Sequence, residues 1–203
     1  GTLDRFFLEL GSAKTAGIRV AVADMWDPYI ASIEEHCPQA DIVFDKFHVS
    51  KKVNEALDKI RREEFASAGG DERKRMKHKR FLMLKRGDKL DRDERERLGT
   101  LMCKNKKLYK AYLLKEQLAD ILDEKEPEFA LARLKKWFAN VGRSRIPQYR
   151  KVASTIKNYL YGIVNYFKHG LTNAASEAFN NKIGLLKRIA YGYRDLEYFT
   201  LKI

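Results

Sequence analysis

Two short apolar segments near the start of the chain constrain the fold more than any other feature. Residues 18–23 are β-branched and apolar and end at Asp24, and residues 41–44 form a second segment of this kind that ends at Asp45. Both have the length and composition of buried strands, and residues 27–37 between them show helical spacing. Strand, helix and strand in this order predict a βαβ unit with parallel strands. Because the carboxyl ends of parallel strands share one edge of a sheet, both aspartates occupy natural site positions.

The remainder of the chain is predicted to be helical. A short helix precedes the first strand and ends at Gly11, and another helix begins near Val49 and continues to the break at Gly69-Gly70. Further helices follow, including one long helix over residues 152–167 that ends before Gly170. The predicted fold class is therefore α/β at the N-terminus and predominantly helical overall.

Positive charge is concentrated in the middle of the chain. Residues 1–48 carry a net charge of −4, residues 49–170 a net charge of +15 and residues 171–203 a net charge of +2, which together give +13. Eight Lys and Arg residues and no acid lie between Arg73 and Arg86. This balance indicates a polyanionic partner, most often nucleic acid, although a solvated helical surface is the alternative.

Several classes of protein and site are disfavoured. Cys37 and Cys103 cannot form a disulfide framework or a zinc site. His36, His78 and His169 have no partner at metal-ligand spacing and are interpreted as surface or capping residues. No apolar run is long enough to span a bilayer and no secretory signal is recognisable, so the prediction is a cytoplasmic protein.

The last predicted helix carries two distinct faces. Thr172 or Asn173 can cap a helix that runs to about Ile189, and Gly192 would end the region. Four apolar residues are predicted to face the core: Phe179, Ile183, Leu186 and Ala190. A narrow polar stripe lies on another face: Glu177, Asn181, Gly184 and Arg188.

Acidic residues at these positions suggest metal-dependent phosphodiester chemistry. Two Mg²⁺ ions held by carboxylates can activate an attacking hydroxyl and stabilise the leaving oxygen. Asp24 at a strand end and Glu177 on a helix can supply such ligands, although a strand-end Asp is more often a cap or turn residue. Asp45 and His48 can point into the same cleft, where His48 can bind phosphate, relay a proton or orient Asp45. The alternative is that Asp45 caps the following helix and His48 is structural.

Four segments resemble insertion-sequence transposases of the ISL-three group from bacteria. They are residues 22–29 (VADMWDPY), 38–49 (PQADIVFDKFHV), 54–58 (NEALD) and 172–194 (TNAASEAFNNKIGLLKRIAYGYR). The resemblance covers nearly the whole chain, with the motifs in order.

The resemblance implies a ribonuclease-H-like core with a DDE triad that uses Mg²⁺ or Mn²⁺. The strands ending at Asp24 and Asp45 resemble the fourth and fifth strands of that core. Asp24 then corresponds to the second acid and Glu177 to the third, both as metal ligands. Asp45 and His48 resemble the Asp-x-x-His element that several related transposase groups carry after the fifth strand.

The same resemblance implies a division into a partial ribonuclease-H-like core (1–50), a helical insertion (51–170) and a final catalytic helix with its tail (171–203). The first acid and three strands have no counterpart in this sequence. We therefore expect a C-terminal fragment that is inactive alone, and a homodimer formed at the open sheet edge.

The implied partner is double-stranded DNA, at transposon ends and target, in the bacterial cytoplasm at the nucleoid. The candidate DNA-binding residues are Lys79, Arg80, Lys85, Arg86, Asn181, Lys187 and Arg188. Two alternatives stay open: a non-catalytic DNA-binding helical protein that retains the fold, and a Holliday-junction or repair nuclease with the same core.

Overall fold

The computed structural model describes residues 1–190 and 196–201. Two strands, β1 (Val20–Ala23) and β2 (Asp41–Phe44), stand in a predominantly helical chain, as predicted. The helices within the described ranges are α1 (Thr2–Leu10), α2 (Ser12–Thr15), α3 (Asp27–His36), α4 (Lys46–Ser67), α5 (Gly70–Met76), α6 (Arg80–Leu84), α7 (Arg92–Lys104), α8 (Lys106–Leu122), α9 (Pro127–Ser144), α10 (Pro147–Asn158), α11 (Leu160–His169), α12 (Ala174–Ile189) and α13 (Leu196–Thr200). A 3-10 turn at Gly87–Lys89 precedes α7.

The βαβ unit has the predicted parallel order. Strands β1 and β2 pair in parallel, with Val20 opposite Asp41 and Ala23 opposite Phe44, and α3 connects them. Helix α3 begins at Asp27, with Trp26 as its N-cap residue and Pro28 in its first turn. Whether these strands belong to a ribonuclease-H-like core stays a prediction.

The single long helix predicted over residues 152–167 is wrong, because the structure has two helices there. Helix α10 ends at Asn158 and α11 begins at Leu160, with Tyr159 between them at φ −104° and ψ 22°. The Tyr159 hydroxyl donates to Asp27 Oδ1 at 2.6 Å. Helical periodicity in the sequence cannot predict a hydrogen bond between residues that are 132 positions apart.

Helix α11 covers one face of the strands. Asn165 Nδ2 donates to the Ile42 carbonyl oxygen at 2.9 Å, and Gly162 lies directly against the ring of Phe44. The helix ends at Gly170, whose φ of 64° is left-handed and favours glycine. The second strand is therefore buried between α11 and the rest of the core.

Helices α4, α8, α9 and α10 pack together as the helical body. Two buried aromatic residues fix the helices to one another through their polar atoms. Trp137 Nε1 donates to the Leu114 carbonyl oxygen, and the Tyr149 hydroxyl donates to the Ala111 carbonyl oxygen, each at 2.8 Å. Across the described ranges, no helix is both long and apolar enough to cross a membrane.

Helix α12 runs to Ile189 as predicted, but its predicted core-facing side is wrong. Phe179 is 52% exposed, Ala190 is exposed, and Ile183 and Leu186 are only half-buried. None of the α12 side chains whose burial is described is buried. Helical periodicity identifies an apolar stripe but not whether another element covers it. The predicted stop at Gly192 lies outside the described residues.

Candidate functional site

Asp24 and His48 meet at the carboxyl edge of the two strands. Asp24 directly follows β1, and its side chain is 45% exposed. His48 lies in the first turn of α4, which begins immediately after Asp45 at the end of β2. His48 Nε2 lies 2.7 Å from Asp24 Oδ1. The parallel strand order therefore brings together two candidate residues that are 24 positions apart in the sequence.

Asp45 is buried and uses both carboxylate oxygens. Oδ1 accepts a hydrogen bond from the Phe47 backbone N–H at 2.7 Å, so Asp45 is the N-cap of α4. Oδ2 accepts from the Asn173 backbone N–H at 2.6 Å. Because Asn173 is the N-cap residue of α12, one carboxylate ties the first turn of α4 to the start of α12.

Glu177 lies on the exposed surface of α12, one turn after Asn173. It lines a cavity of about 560 Å³ between α4, α8 and the start of α12, together with Asp45 and Lys115. Asp24 instead lines a second cavity of about 460 Å³, which Asn173 also borders. The structure therefore pairs Asp24 with His48 but places Glu177 at a different cavity. Asp45 is bonded to the N-cap residue of the helix that carries Glu177.

The cations predicted to bind DNA at residues 79–85 differ in their surroundings. Arg80 Nε lies 3.4 Å from Asp58 Oδ2, and Lys85 Nζ lies 2.6 Å from Glu94 Oε2. Lys79 precedes α6 and has no carboxylate at ion-pair distance within the described ranges. Exposed ion pairs of this kind leave less charge available to an outside anion.

Arg86 is the most heavily paired cation of this group. Its Nη2 lies 3.3 Å from Asp120, its Nε lies 3.5 Å from Asp88, and its Nη1 also contacts Asp123. The bond with Asp123 raises the pKa of the Arg86 guanidinium above its usual value. Asp123 also accepts from Lys46 Nζ at 2.9 Å. Arg86 therefore joins the 3-10 turn to the C-terminal end of α8 at the protein surface.

Lys115 lines the cavity of about 560 Å³ that Glu177 also lines, and this lysine was not identified from the sequence. Its side chain is 4% exposed, and Nζ donates to the carbonyl oxygens of Lys85 at 2.7 Å and Met83 at 3.3 Å. Nζ also lies 2.6 Å from Glu116 Oε1, and burial lowers the pKa of Lys115. Its sequence signal is a lysine within the apolar stripe of α8, where a solvated cation would not lie.

The polar candidates on α12 are exposed. Asn181 and Arg188 lie on the surface, and Arg188 Nε donates to the Gly184 carbonyl oxygen of its own helix at 3.3 Å. Lys187 Nζ lies 5.0 Å from the centre of the Phe199 ring. These residues are therefore open to an outside partner on one face.

Two histidines outside this region have carboxylate neighbours. His36 lies with Asp4 and Glu35 in a group whose ligand atoms are within 4.8 Å of one another, the one such group of three among the described residues. His169 Nε2 lies 2.7 Å from Asp41 Oδ2 at the start of β2. Sequence spacing did not indicate either arrangement, because Asp4 and Asp41 lie on other elements than their histidine partners.

Comparison with known proteins shows that the chain is similar to transposases of insertion sequences. The profile of a transposase family, of the DDE type and the ISL-three group, matches residues 1–203. The chain is 35% identical over 205 residues to the transposase for insertion sequence element IS1001 of Bordetella parapertussis, covering 100% of the chain and 50% of the relative.

It is also 32% identical over 217 residues to the transposase for insertion sequence element IS1557 from two strains of Mycobacterium tuberculosis, covering 96% of the chain and 49% of the relative. The chain thus spans about half the length of the curated relatives it matches. No solved structure matches.

Proposed function

Because the chain belongs to the ISL-three family of DDE transposases, we propose that it acts in DNA transposition by metal-dependent phosphodiester cleavage and strand transfer. In this proposal, Asp24 and Glu177 are two of three catalytic carboxylates in a ribonuclease-H-like core. The double-stranded DNA of the transposon ends and of the target is the substrate. The relatives' names, transposases for insertion sequence elements, support this reaction class.

The observation that carries the proposal is the bridge made by Asp45. Its carboxylate accepts one hydrogen bond from the first turn of α4 and another from Asn173, the residue that caps α12. This bridge ties the N-cap residue of the helix that carries Glu177 to the residue that follows β2, which supports a shared site with Asp24 and His48. Such tethering of separate elements is what a site built on rigid supports requires.

Asp24 and Glu177 have the donor chemistry that suits Mg²⁺ or Mn²⁺, which favour carboxylate oxygens. Asp24 Oδ1 contacts His48, which leaves Oδ2 for a metal ion. Glu177 is exposed and pairs with no cation in the described part of the chain. When bound, divalent ions would lower the pKa of an attacking water or hydroxyl and stabilise the leaving oxygen. Asp45 would not be a ligand, because backbone hydrogen bonds occupy both of its oxygens.

His48 is assigned a positioning role. Its contact with Asp24 Oδ1 fixes the carboxylate orientation, in the way that neighbours of metal ligands commonly do. Among the proposed DNA-binding residues, Lys79 should contribute more than Arg86, because the Arg86 guanidinium already pairs with carboxylates of the same chain. The α12 residues Lys187 and Arg188 would contact DNA near Glu177.

We further infer that the isolated chain does not cut DNA. Asp24 and Glu177 provide two carboxylates, whereas a two-ion site of the DDE type uses three acids. Incubating the pure 203-residue chain with Mg²⁺ or Mn²⁺ and supercoiled plasmid should therefore give no nicking. Nicking that requires metal and disappears in Asp24→Asn would contradict this inference.

The main test uses the full-length transposase that contains this chain. Asp24→Asn and Glu177→Gln should each reduce transposition by more than about 100-fold, since even neighbours of metal ligands commonly contribute 10–100-fold. Asp93→Asn and Glu128→Gln are matched controls, because both acids are exposed on distant helices. Wild-type transposition by Asp24→Asn or Glu177→Gln would refute the proposal.

The second candidate is a non-catalytic DNA-binding protein that retains the fold. The observation in its favour is that Asp24 and Glu177 line different cavities. The same variants discriminate, because a binding protein would tolerate both substitutions without loss of function.

The proposal also covers the oligomeric state and the cellular compartment. Within the described ranges, β1 pairs only with β2, and its other edge is open to a second copy of the chain. We expect a homodimer by light scattering, whereas a monomer at high concentration would contradict it. The expected compartment is the bacterial cytoplasm, at the nucleoid where the DNA substrate lies.

A further inference from the structure

The longest acid-free stretch of the chain lies in α9, α10 and α11. Residues 129–176 contain nine Lys and Arg residues and no Asp or Glu. The stretch is more than three times as long as the basic block between Arg73 and Arg86. Its cations are spread over three helices, so they do not form a conspicuous run in the sequence.

Most cations of this stretch have no acidic partner. Arg133 pairs with Glu124 at 3.1 Å, and Lys168 pairs with Asp41 at 2.7 Å. The other seven are exposed, and no carboxylate within residues 1–190 and 196–201 lies at ion-pair distance from them. We call these seven residues the basic ridge: Lys135, Lys136, Arg143, Arg145, Arg150, Lys151 and Lys157.

The basic ridge is one continuous surface across two helices. Helices α9 and α10 are neighbours joined by the turn at Arg145-Ile146. Arg150 Nη2 on α10 donates to the Gly142 carbonyl oxygen of α9 at 3.1 Å. Further along, Lys157 Nζ lies 5.1 Å from the centre of the Phe138 ring on α9. Arg150 and Lys157 of α10 therefore contact α9, next to the cations that α9 carries.

The surface is rigid because the opposite faces of both helices are buried. Leu134, Trp137 and Val141 are buried on α9, and Tyr149 and Ile156 are buried on α10. Polar atoms of Trp137 and Tyr149 bond the backbone of α8. The cations on the outward faces are therefore presented at fixed spacing, which lowers the entropic cost of binding.

We propose that the basic ridge is the surface on which the phosphate backbone of duplex DNA lies, an inference that rests on the proposed function and assigns its DNA contacts. Lys135 and Arg143 are eight residues apart on α9, which corresponds to about 12 Å along the helix. Duplex DNA carries one charge per ~1.7 Å of axis, so about seven charges occupy that length. Lys135, Lys136 and Arg143 lie along that length of α9, and cations of α10 lie beside it, so the ridge can contact several phosphates at once without base contacts.

The basic ridge leads toward the strand edge that holds Asp24. Lys157 lies two residues before Tyr159, whose hydroxyl donates to Asp27 Oδ1 at 2.6 Å. Asp27 is three residues after Asp24 and is the first residue of α3, the helix that follows β1. A duplex on the ridge would therefore approach the proposed catalytic carboxylate from the C-terminal end of α10.

The test compares two variants with equal loss of charge. Lys135→Gln/Lys136→Gln/Lys151→Gln removes three ridge lysines whose ammonium groups make no ion pair or hydrogen bond with the described residues. Lys104→Gln/Lys106→Gln/Lys110→Gln is the matched control, because it removes three exposed lysines of α7 and α8 that lie outside the ridge and have no ion pair in the described part of the chain. Fluorescence anisotropy measures the affinity of the 203-residue chain for a labelled duplex between about 50 and about 200 mM salt.

The slope of the logarithm of the binding constant against the logarithm of the salt concentration should become shallower by about 2.7 in the ridge variant, about 0.9 for each lost phosphate contact. The affinity near 0.1 M salt should fall by roughly 500-fold. The control variant should change both only slightly. Equal effects of the two variants, a larger effect of the control, or no duplex binding by the wild-type chain would each overturn the inference. Lysine-dependent binding to phosphatidylserine vesicles in preference to the duplex would also overturn it.

Failure of the ridge and failure of the proposed function can be told apart. Asp24→Asn should bind the duplex like the wild type, because a metal ligand is not a ridge cation. An unchanged slope in the ridge variant refutes the ridge alone. Wild-type transposition by Asp24→Asn, with the ridge slope reduced as expected, refutes the catalytic assignment alone.

Discussion

Replacing Asp45 provides a quantitative test of how the candidate site is held together. Asp45→Ala removes the N-cap of α4, which costs about 1 kcal/mol at a typical cap. It also removes the buried hydrogen bond from the Asn173 N–H to a charged acceptor, worth about 1.5–3 kcal/mol. The free energy of unfolding should therefore fall by about 2.5–4 kcal/mol, or by roughly 5–16 °C in Tm for a chain of this size.

A second substitution at the same position separates the two roles. Asparagine is as good an N-cap as aspartate, so Asp45→Asn should keep the bond from the Phe47 N–H. Its amide then faces the Asn173 N–H with a donor instead of an acceptor, and the loss should be about 1.5–3 kcal/mol. The backbone amide of Asn173 should exchange its hydrogen faster in this variant, whereas that of Phe47 should stay protected.

Asp91→Ala is the matched control. Asp91 caps α7 and accepts from the Glu94 N–H at 2.8 Å, but it is exposed and makes no bond to another element. Its replacement should cost about 1 kcal/mol. Urea unfolding at constant m measures all three variants. If Asp45→Ala cost no more than Asp91→Ala, the bridge would contribute nothing beyond an ordinary cap, and the proposed tether of Glu177 would be refuted.

Three further predictions concern the fold and the site. Gly162→Ala should destabilise the protein by about 1–3 kcal/mol in urea unfolding, because a Cβ there would overlap the Phe44 ring. The control, Gly99→Ala in α7, has open space around it and should stabilise the protein by about 1 kcal/mol. Equal effects of the two substitutions would contradict the packing of α11 on β2. Hydrogen bonds from Lys168 and His169 lower the pKa of Asp41, so its contribution to stability is complete above its unfolded pKa of about 4 and is lost as the pH falls through the lower folded value. The urea midpoint should accordingly depend less on acidic pH in Asp41→Asn, and Lys168→Met should move the loss to higher pH; unchanged profiles would argue against these bonds in solution. His48→Ala should reduce transposition by the full-length protein about 10–100-fold without altering duplex affinity, and a parallel loss of affinity would show that His48 binds DNA instead.

Local features of the fold were readily predicted from the sequence. The two strands, the helix between them and the break at Gly69-Gly70 follow from short-range periodicity and from glycine and proline chemistry. The alternative in which Asp45 caps a helix was also visible, because a cap is defined by residues within one turn. The family was recognisable because its motifs are short and lie in order.

Contacts between distant elements were not predictable in the same way. The helix break at Tyr159 depends on Asp27, and the pairing of Arg86 depends on Asp120 and Asp123, none of which is near in sequence. Four of the eight cations in the basic block that stands out in the sequence are paired with carboxylates in the structure: Lys74, Arg80, Lys85 and Arg86. The free cations of the basic ridge are dispersed over residues 135–157 and become one surface only when α9 and α10 pack together.

The sequence by itself determined the two strands, the helix between them and the charged residues at their ends, because backbone preference and periodicity act over a few residues. Only the tertiary structure decided that His48 contacts Asp24, that Asp45 joins α4 to α12, and which cations remain unpaired. These outcomes depend on ångström-scale distances between elements far apart in the chain. Electrostatic and hydrogen-bond energies change sharply over such distances, whereas sequence spacing does not report them.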